Sequence, residues 1–219
     1  MGRLTLYSYF RSSAAYRVRI ALALKGLDYS QVPVHLLRND GEHHAADYLA
    51  HNPQGLVPTL LDDETPLIQS TAICEYLEEV RPTPPLLPTD PLQRAYVRSI
   101  MAIVACEIHP LNNLRVLAYL TGKLGVSEDG KMDWYRHWVM EGLSAIEQIV
   151  QQRGYAGRFC CGDTAGLGDA FLIPQIFNAK RFGLDLQSFP RLQAIDQACL
   201  DVPAFHAAHP SQQPDFPGE

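Results

Sequence analysis

Strand-like and helix-like spacings of apolar residues alternate along the first third of the chain. A short apolar segment, residues 4–7, is followed by a helical pattern that begins at Ser12 and Ser13 and ends before Gly26. Serine side chains often accept the free N–H groups at the start of a helix, and glycine commonly follows its last turn. The pattern therefore predicts a strand that runs directly into a helix.

The next segments predict the remaining strands of one sheet. Residues 32–36 alternate with a period of two, and Pro33 cannot donate a ladder hydrogen bond, so we expect this strand at a sheet edge. Strand-like residues 56–61 and 66–68 flank a hairpin turn, and a helix follows from Gln69. The order β-α-β-α-β-β-α predicts an α/β domain with a small mixed four-stranded sheet and helices on both faces.

A proline-rich segment separates this α/β domain from a second one. Residues 81–91 contain five prolines in eleven positions, which excludes a helix or a central strand. Helical periodicity dominates the remainder, and the tail after Pro210 is polar and rich in proline, so we expect that tail to be disordered or draped over the surface. We assign residues 1–83 to the first domain, 84–91 to a linker and 92–219 to an all-helical domain.

Composition and charge restrict the partners. The 219 residues are 47% hydrophobic, and the net charge of −6 argues against a nucleic-acid-binding face. No apolar run is long enough to span a bilayer. The five cysteines form no Cys-x-x-Cys pair, and their odd number suggests free thiols in a reducing compartment. We therefore expect a cytoplasmic protein that binds neither nucleic acid nor membrane.

The histidines do not predict a metal site. His43 and His44 are adjacent in a polar segment, and His206 and His209 lie near the tail. Neither pair has a partner carboxylate at the spacing of metal ligands. We therefore expect no bound metal.

The turn into the first helix is the first candidate site. A helix N-terminus presents free backbone N–H groups and the positive end of the helix dipole, which together can hold a thiolate or a carboxylate. Ser12 and Ser13 stand at this position, although an ordinary helix cap would explain them equally well.

Several motifs resemble those of the zeta class of cytosolic glutathione transferases. The helix start is similar to the class signature Ser-Ser-Cys-x-x-Arg-Val-Arg-Ile-Ala-Leu, two segments resemble the other glutathione-site motifs, and one resembles the pattern at the end of the first long helix. These segments are residues 12–22, 52–58, 67–70 and 109–113. With the proline linker and the helical second half, the resemblance covers nearly the whole chain.

The resemblance implies the glutathione transferase fold, which has a thioredoxin-like first domain and an all-α second domain, and it implies a homodimer. It also implies glutathione as the cofactor, with Ser13 activating the sulfur and Ser12 as helper or cap. A cis Val57–Pro58 peptide bond is part of the same expectation. The expected cofactor-binding residues are Gln54, Val57, Pro58, Gln69, Ser70 and Asn112.

The substrate half of the expected site depends on arginines. Arg11 lies beside Ser12, and the helical domain carries Arg115 and Arg181. Two arginines suit a paired carboxylate, although a solvated surface position is the alternative for each. The resemblance implies cis–trans isomerisation of a dicarboxylate keto acid, maleylacetoacetate or maleylpyruvate, to its fumaryl isomer in the catabolism of aromatic amino acids or other aromatic compounds.

Two positions depart from the class pattern. Ala14 stands where the class has cysteine, and Gly166 stands where it usually has a threonine helix cap. Asp169 could still accept the Gly166 N–H as half of a capping box. Two other functions stay open, namely a transferase or dehalogenase acting on small α-halo acids and a non-catalytic thioredoxin-like binding module. The intact serine, Val-Pro and Gln-Ser motifs weigh against the binding module.

Overall fold

Four strands form one mixed sheet in the computed structural model, which describes residues 2–218. The strands are β1 (Leu4–Ser8), β2 (Ser30–Pro33), β3 (Thr59–Asp62) and β4 (Thr65–Ile68). Their order across the sheet is β2-β1-β3-β4, with β2 parallel to β1 and the other two pairs antiparallel. The predicted four-stranded mixed sheet is therefore confirmed. Strand β2 lies at the predicted edge of the sheet, but it covers Ser30–Pro33, whereas the sequence pattern predicts a strand over residues 32–36.

The chain divides into two compact units. The helices, in chain order, are α1 (Ser13–Leu24), α2 (Ala46–Leu49), α3 (Ser70–Val80), α4 (Pro91–Ala102), α5 (Leu114–Gly122), α6 (Glu128–Gln152), α7 (Leu167–Arg181), α8 (Pro190–Leu200) and α9 (Pro203–Ala208). The first unit holds the sheet with α1, α2 and α3, extends to Leu86, and takes up the chain again from Leu200. The second unit is Leu87–Cys199.

The end of the chain differs from the sequence-based assignment. The pattern places residues 92–219 in the helical domain, but the chain from Leu200 onward joins the first unit. Helix α9 packs on α1, and the Tyr16 hydroxyl donates a hydrogen bond to the Phe205 carbonyl oxygen at 3.5 Å. A helix of six residues is too short to show a convincing hydrophobic period, so the spacing of residues did not reveal where it docks.

Helix α1 is almost entirely buried in the first unit. Nine of its twelve residues are buried, and it packs against α3 and α9. The buried set includes two arginines, Arg17 and Arg19. Because a buried charged group is costly unless it is hydrogen-bonded, these arginines require partners inside the unit.

A buried ion pair holds the start of the proline-rich segment. The ammonium group of Lys25 donates to Glu78 Oε2 at 2.7 Å and to the carbonyl oxygens of Arg81 and Pro84 at 2.7 and 3.0 Å. The Glu78 carboxylate also accepts the Leu86 N–H at 3.1 Å. All three donors of the lysine are therefore used, and the segment is tied to α1 and α3.

The second unit is helical, as predicted. Gly166 is the N-cap residue of α7, and its N–H donates to Asp169 Oδ2 at 2.9 Å, so the expected aspartate half of the capping box is confirmed. The fully buried Asp169 also accepts the Cys160 N–H at 2.8 Å. Across residues 2–218, no helix combines the length and the apolar character that a membrane span needs.

Candidate functional site

The two serines at the start of α1 have different surroundings. Ser12 is the N-cap residue, and its Oγ accepts the Ala15 N–H at 3.2 Å. Its own N–H donates to the Tyr9 carbonyl oxygen at 2.9 Å. Ser13 is the first helical residue, and its exposed fraction is 7%. The capping function therefore falls to Ser12, and Ser13 lies beside it at the positive end of the helix dipole.

Arg11 carries its charge over two aromatic rings. Its guanidinium carbon lies 5.9 Å from the Tyr9 ring centroid and 5.7 Å from that of Phe10. Among residues 2–218, no side chain forms an ion pair or hydrogen bond with this guanidinium. A cation held over ring faces without an anionic partner is suited to an incoming carboxylate.

The turn before β3 is held by a residue that the sequence analysis missed. Asn52 is 1% exposed, and its amide donates to the Leu56 carbonyl oxygen at 2.7 Å while its Oδ1 accepts the Gln54 N–H at 3.0 Å. The Val57–Pro58 peptide bond that follows is cis, as the resemblance implied. Asparagine before proline is a common turn signal, so the turn at Asn52 could be predicted from the sequence, but the two hydrogen bonds of its side chain could not.

The structure brings three of the predicted cofactor residues together. The Gln69 amide donates to Gln54 Oε1 at 2.6 Å, and Ser70 follows as the first residue of α3. Gln69 has a φ of +70°, in the left-handed region that non-glycine residues rarely adopt. Such backbone strain is often found at ligand sites, and here it sets the direction in which the chain enters the helix.

A buried arginine directs the Ser70 hydroxyl. The Nη1 group of Arg17 donates to Ser70 Oγ at 3.1 Å, and both residues are buried. Because arginine has no acceptor, Ser70 must accept this hydrogen bond, and its own hydroxyl hydrogen remains available to donate to another group. The sequence offered no signal for this contact, since the two residues are 53 positions apart.

The other three predicted residues lie in the second unit. Asn112 donates to the Ile108 carbonyl oxygen at 3.3 Å, and its buried Oδ1 has no hydrogen-bond partner in the part of the chain that the structure describes. Arg115 is exposed near the start of α5, and Arg181 is exposed at the end of α7 with its guanidinium 4.4 Å from the Phe182 ring centroid. Arg115 and Arg181 therefore retain exposed positive charges on two different helices.

The buried thiols of the protein are poor nucleophiles. Burial raises the pKa of the Cys74 thiol to about 12 and also raises the pKa of Cys160 and Cys199. A thiol is reactive only as the thiolate, so these three remain protonated at neutral pH. A reactive sulfur at the start of α1 would therefore come from a bound molecule, because Ala14 stands at the position beside Ser13.

His43 and His44 are adjacent in the sequence and lie side by side in the structure. The ring centroids of His43 and His44 lie 3.8 Å apart, and the two ring planes are tilted by 41°. Within residues 2–218, no three His, Cys, Asp or Glu side chains come close enough to hold a metal ion together.

The first-unit groups fit a peptide-like anion with a thiol. They offer a helix N-terminus with a buried hydroxyl, a second helix start whose serine hydroxyl is directed by an arginine, and an amide pair at the protein surface. These are hydrogen-bond donors suited to a thiolate and a carboxylate. They match the chemical groups of glutathione.

Comparisons with known proteins give consistent results over the whole chain. The family described as glutathione S-transferase, N-terminal domain, matches residues 2–79. Maleylacetoacetate isomerase of Pseudomonas aeruginosa is 51% identical over 97% of this chain and 98% of its own.

Two solved structures are similarly close. A holo maleylpyruvate isomerase, described as a bacterial glutathione S-transferase of the zeta class, has a TM-score of 0.93 and 44% identity over 96% of this chain and 99% of its own. A maleylacetoacetate isomerase of Methylobacterium extorquens with bound malonate and glutathione has a TM-score of 0.93 and 40% identity over 98% and 100%.

Proposed function

Because this chain belongs to the glutathione transferase family, in its zeta class of maleylacetoacetate and maleylpyruvate isomerases, we propose that it is a glutathione-dependent cis–trans isomerase. Its substrate is a maleyl-substituted keto acid, maleylacetoacetate or maleylpyruvate, and its product is the fumaryl isomer. The reaction belongs to the catabolism of aromatic amino acids or other aromatic compounds.

The observation that carries this proposal is that the two serines at the start of α1 occupy different positions, one as the helix cap and one as the first helical residue. Ser12 uses its hydroxyl to cap the helix, and Ser13 lies beside it with the helix dipole behind it. Glutathione, when bound, supplies a thiolate that adds reversibly to the conjugated double bond of the substrate, so that the carbon–carbon bond can rotate. Ser13 lowers the thiol pKa by donating a hydrogen bond to the sulfur.

The remaining residues hold the two molecules. Gln54, Val57, Pro58, Gln69 and Ser70 are proposed to bind glutathione, with Ser70 and the start of α3 receiving a carboxylate. Asn112 is proposed as a further glutathione-binding residue. Arg11 binds a substrate carboxylate and stabilises the negative charge that develops on the carbonyl oxygen during addition. Arg115 and Arg181 are proposed for the second carboxylate. In support, the similar Methylobacterium extorquens isomerase binds malonate, a dicarboxylate, together with glutathione.

The decisive experiment uses glutathione at a concentration far below that of the substrate. Purified protein is mixed separately with maleylpyruvate and maleylacetoacetate, and conversion to the fumaryl isomer is followed spectroscopically. We expect conversion to continue beyond one equivalent of glutathione, because an isomerase regenerates its cofactor. If conversion stops at one equivalent, the protein is a conjugating transferase, and halide release from a small α-halo acid would identify the dehalogenase instead.

We also propose that the protein is a cytoplasmic homodimer. All five cysteines are unpaired, which agrees with a reducing compartment. The dimer rests on family membership, and light scattering at micromolar concentration tests it. A monomer mass would contradict the dimer.

A further inference from the structure

Both hydrogen-bonding groups of the Phe10 backbone are held by residues remote in sequence or wholly buried. Its N–H donates to Asp215 Oδ2 at 2.8 Å, across a separation of 205 residues. Its carbonyl oxygen accepts from Arg19 Nη2 at 2.9 Å. Phe10 directly precedes Arg11, so the orientation of the Phe10 backbone also determines the direction of the Arg11 side chain.

Arg19 connects this loop to the end of α9. Its guanidinium also donates to the carbonyl oxygens of Tyr9 and Ala208, at 3.3 and 3.0 Å, and to Ser8 Oγ at 3.1 Å. Burial lowers its pKa to about 10, so it stays charged at neutral pH. The buried charge therefore joins the loop before α1 to the C-terminal strap, by which we mean residues 200–216.

The C-terminal strap is itself ordered against the loop. The Gln213 amide donates to the carbonyl oxygens of Ala207 and His209 at 3.0 and 2.9 Å, which turns the chain back on α9. The ring of Phe216 then meets the ring of Phe10 edge to face, with centroids 5.6 Å apart. The strap therefore contacts Phe10 through the peptide group and through the ring.

We infer that Asp215 is a positioning residue for Arg11. The Arg11 guanidinium lies over the rings of Tyr9 and Phe10, so its direction depends on how Phe10 is held. By accepting the Phe10 N–H, the Asp215 carboxylate keeps Arg11 directed toward the substrate carboxylate. This inference rests on the proposed function, since it assumes that Arg11 binds that carboxylate.

The test compares Asp215→Ala with Asp215→Asn in the full-length protein. Asparagine keeps an oxygen that can accept the Phe10 N–H, whereas alanine removes it. We expect Asp215→Ala to raise KM for maleylpyruvate about tenfold, which corresponds to losing about 1.4 kcal/mol of a charge-assisted hydrogen bond, and to leave KM for glutathione within about twofold. Asp215→Asn should restore most of the maleylpyruvate KM. Gln212→Ala, an exposed change in the same strap, is the matched control.

A double-mutant cycle shows whether Asp215 acts through Arg11. In an Arg11→Met background, Asp215→Ala should add almost nothing to KM, because the group that it positions is absent. Additive effects, or equal rises in both KM values, would assign Asp215 to general stability and overturn the inference. If the Asp215→Ala protein does not fold, Asp215→Ser, whose side chain is shorter than that of aspartate, replaces it in the cycle.

Malonate binding in the presence of glutathione, measured by calorimetry, separates this inference from the proposed function. Wild-type protein that binds malonate but does not isomerise maleylpyruvate would refute the isomerase proposal. The positioning of Arg11 is then decided by the malonate Kd of the same variants. Loss of binding on Asp215→Ala with recovery on Asp215→Asn supports the inference. Unchanged binding, or a wild type that does not bind malonate, overturns it.

Discussion

Replacing the two serines at the start of α1 one at a time should produce two different defects. Ser12→Ala removes the cap that accepts the Ala15 N–H, which costs about 0.5–2 kcal/mol of stability. In a chain of this size, each kcal/mol lowers Tm by about 2–4 °C. The Ser12→Ala variant should therefore have a lower Tm than the wild type, and the pH dependence of its turnover should be nearly unchanged.

Ser13→Ala should change the chemistry instead. A hydrogen bond from a hydroxyl to a thiolate contributes about 1.5–3 kcal/mol, and one pKa unit corresponds to about 1.4 kcal/mol. Losing the bond should raise the thiol pKa by about one to two units. Since the thiolate is the reactive form, its fraction at neutral pH falls, and the rising limb of the rate profile moves to higher pH.

The assay is the pH profile of kcat/KM between about pH 5 and 9, together with titration of the ultraviolet absorbance of the bound thiolate. Ala14→Cys is the control in the same turn, and it should leave the profile unchanged because glutathione supplies the sulfur. If Ser12→Ala moves the midpoint further than Ser13→Ala does, the assignment of the two serines is reversed.

Three further outcomes are expected. Arg11→Lys should raise KM for the dicarboxylate more than KM for glutathione, because lysine keeps the charge but loses the planar fork; equal rises would place Arg11 in the cofactor site. Ser70→Ala and Arg17→Met should both weaken the binding of glutathione. Only Ser70→Ala should retain the wild-type KM for the dicarboxylate, because the buried Arg17 also supports the fold. Steady-state kinetics with each substrate varied in turn separates these results. Lys25→Met should cost about 3–5 kcal/mol in urea unfolding, because it leaves the buried Glu78 carboxylate without its cation, and a loss below about 1 kcal/mol would contradict that account.

Much of the fold was predictable because its signals are local. The two serines and Gly26 delimit α1 in the sequence, and proline placed β2 at the edge. Half of the capping box at α7 could also be read from the spacing of Gly166 and Asp169. Caps, turns and periodicity act within a few residues, so the sequence alone carries them.

The residue identities of the candidate site were also available from motifs, but their partners were not. Gln54, Gln69 and Ser70 lie in segments that resemble glutathione-site motifs, and the structure adds that the two glutamines hydrogen-bond to each other. Their assignment to glutathione stays a prediction. The functions of Ser13 and Arg11 likewise await the variants described above.

What only the tertiary structure decided is how distant residues support these motifs. Arg17 and Arg19 are buried arginines in a largely apolar helix. No periodicity in the sequence shows that Arg17 contacts Ser70 or that Arg19 contacts the end of α9. The contact between Asp215 and Phe10 joins opposite ends of the chain. Sequence patterns encode which face of an element is apolar. A hydrogen bond between remote segments depends on how those elements pack together, so it can be read only from the folded chain.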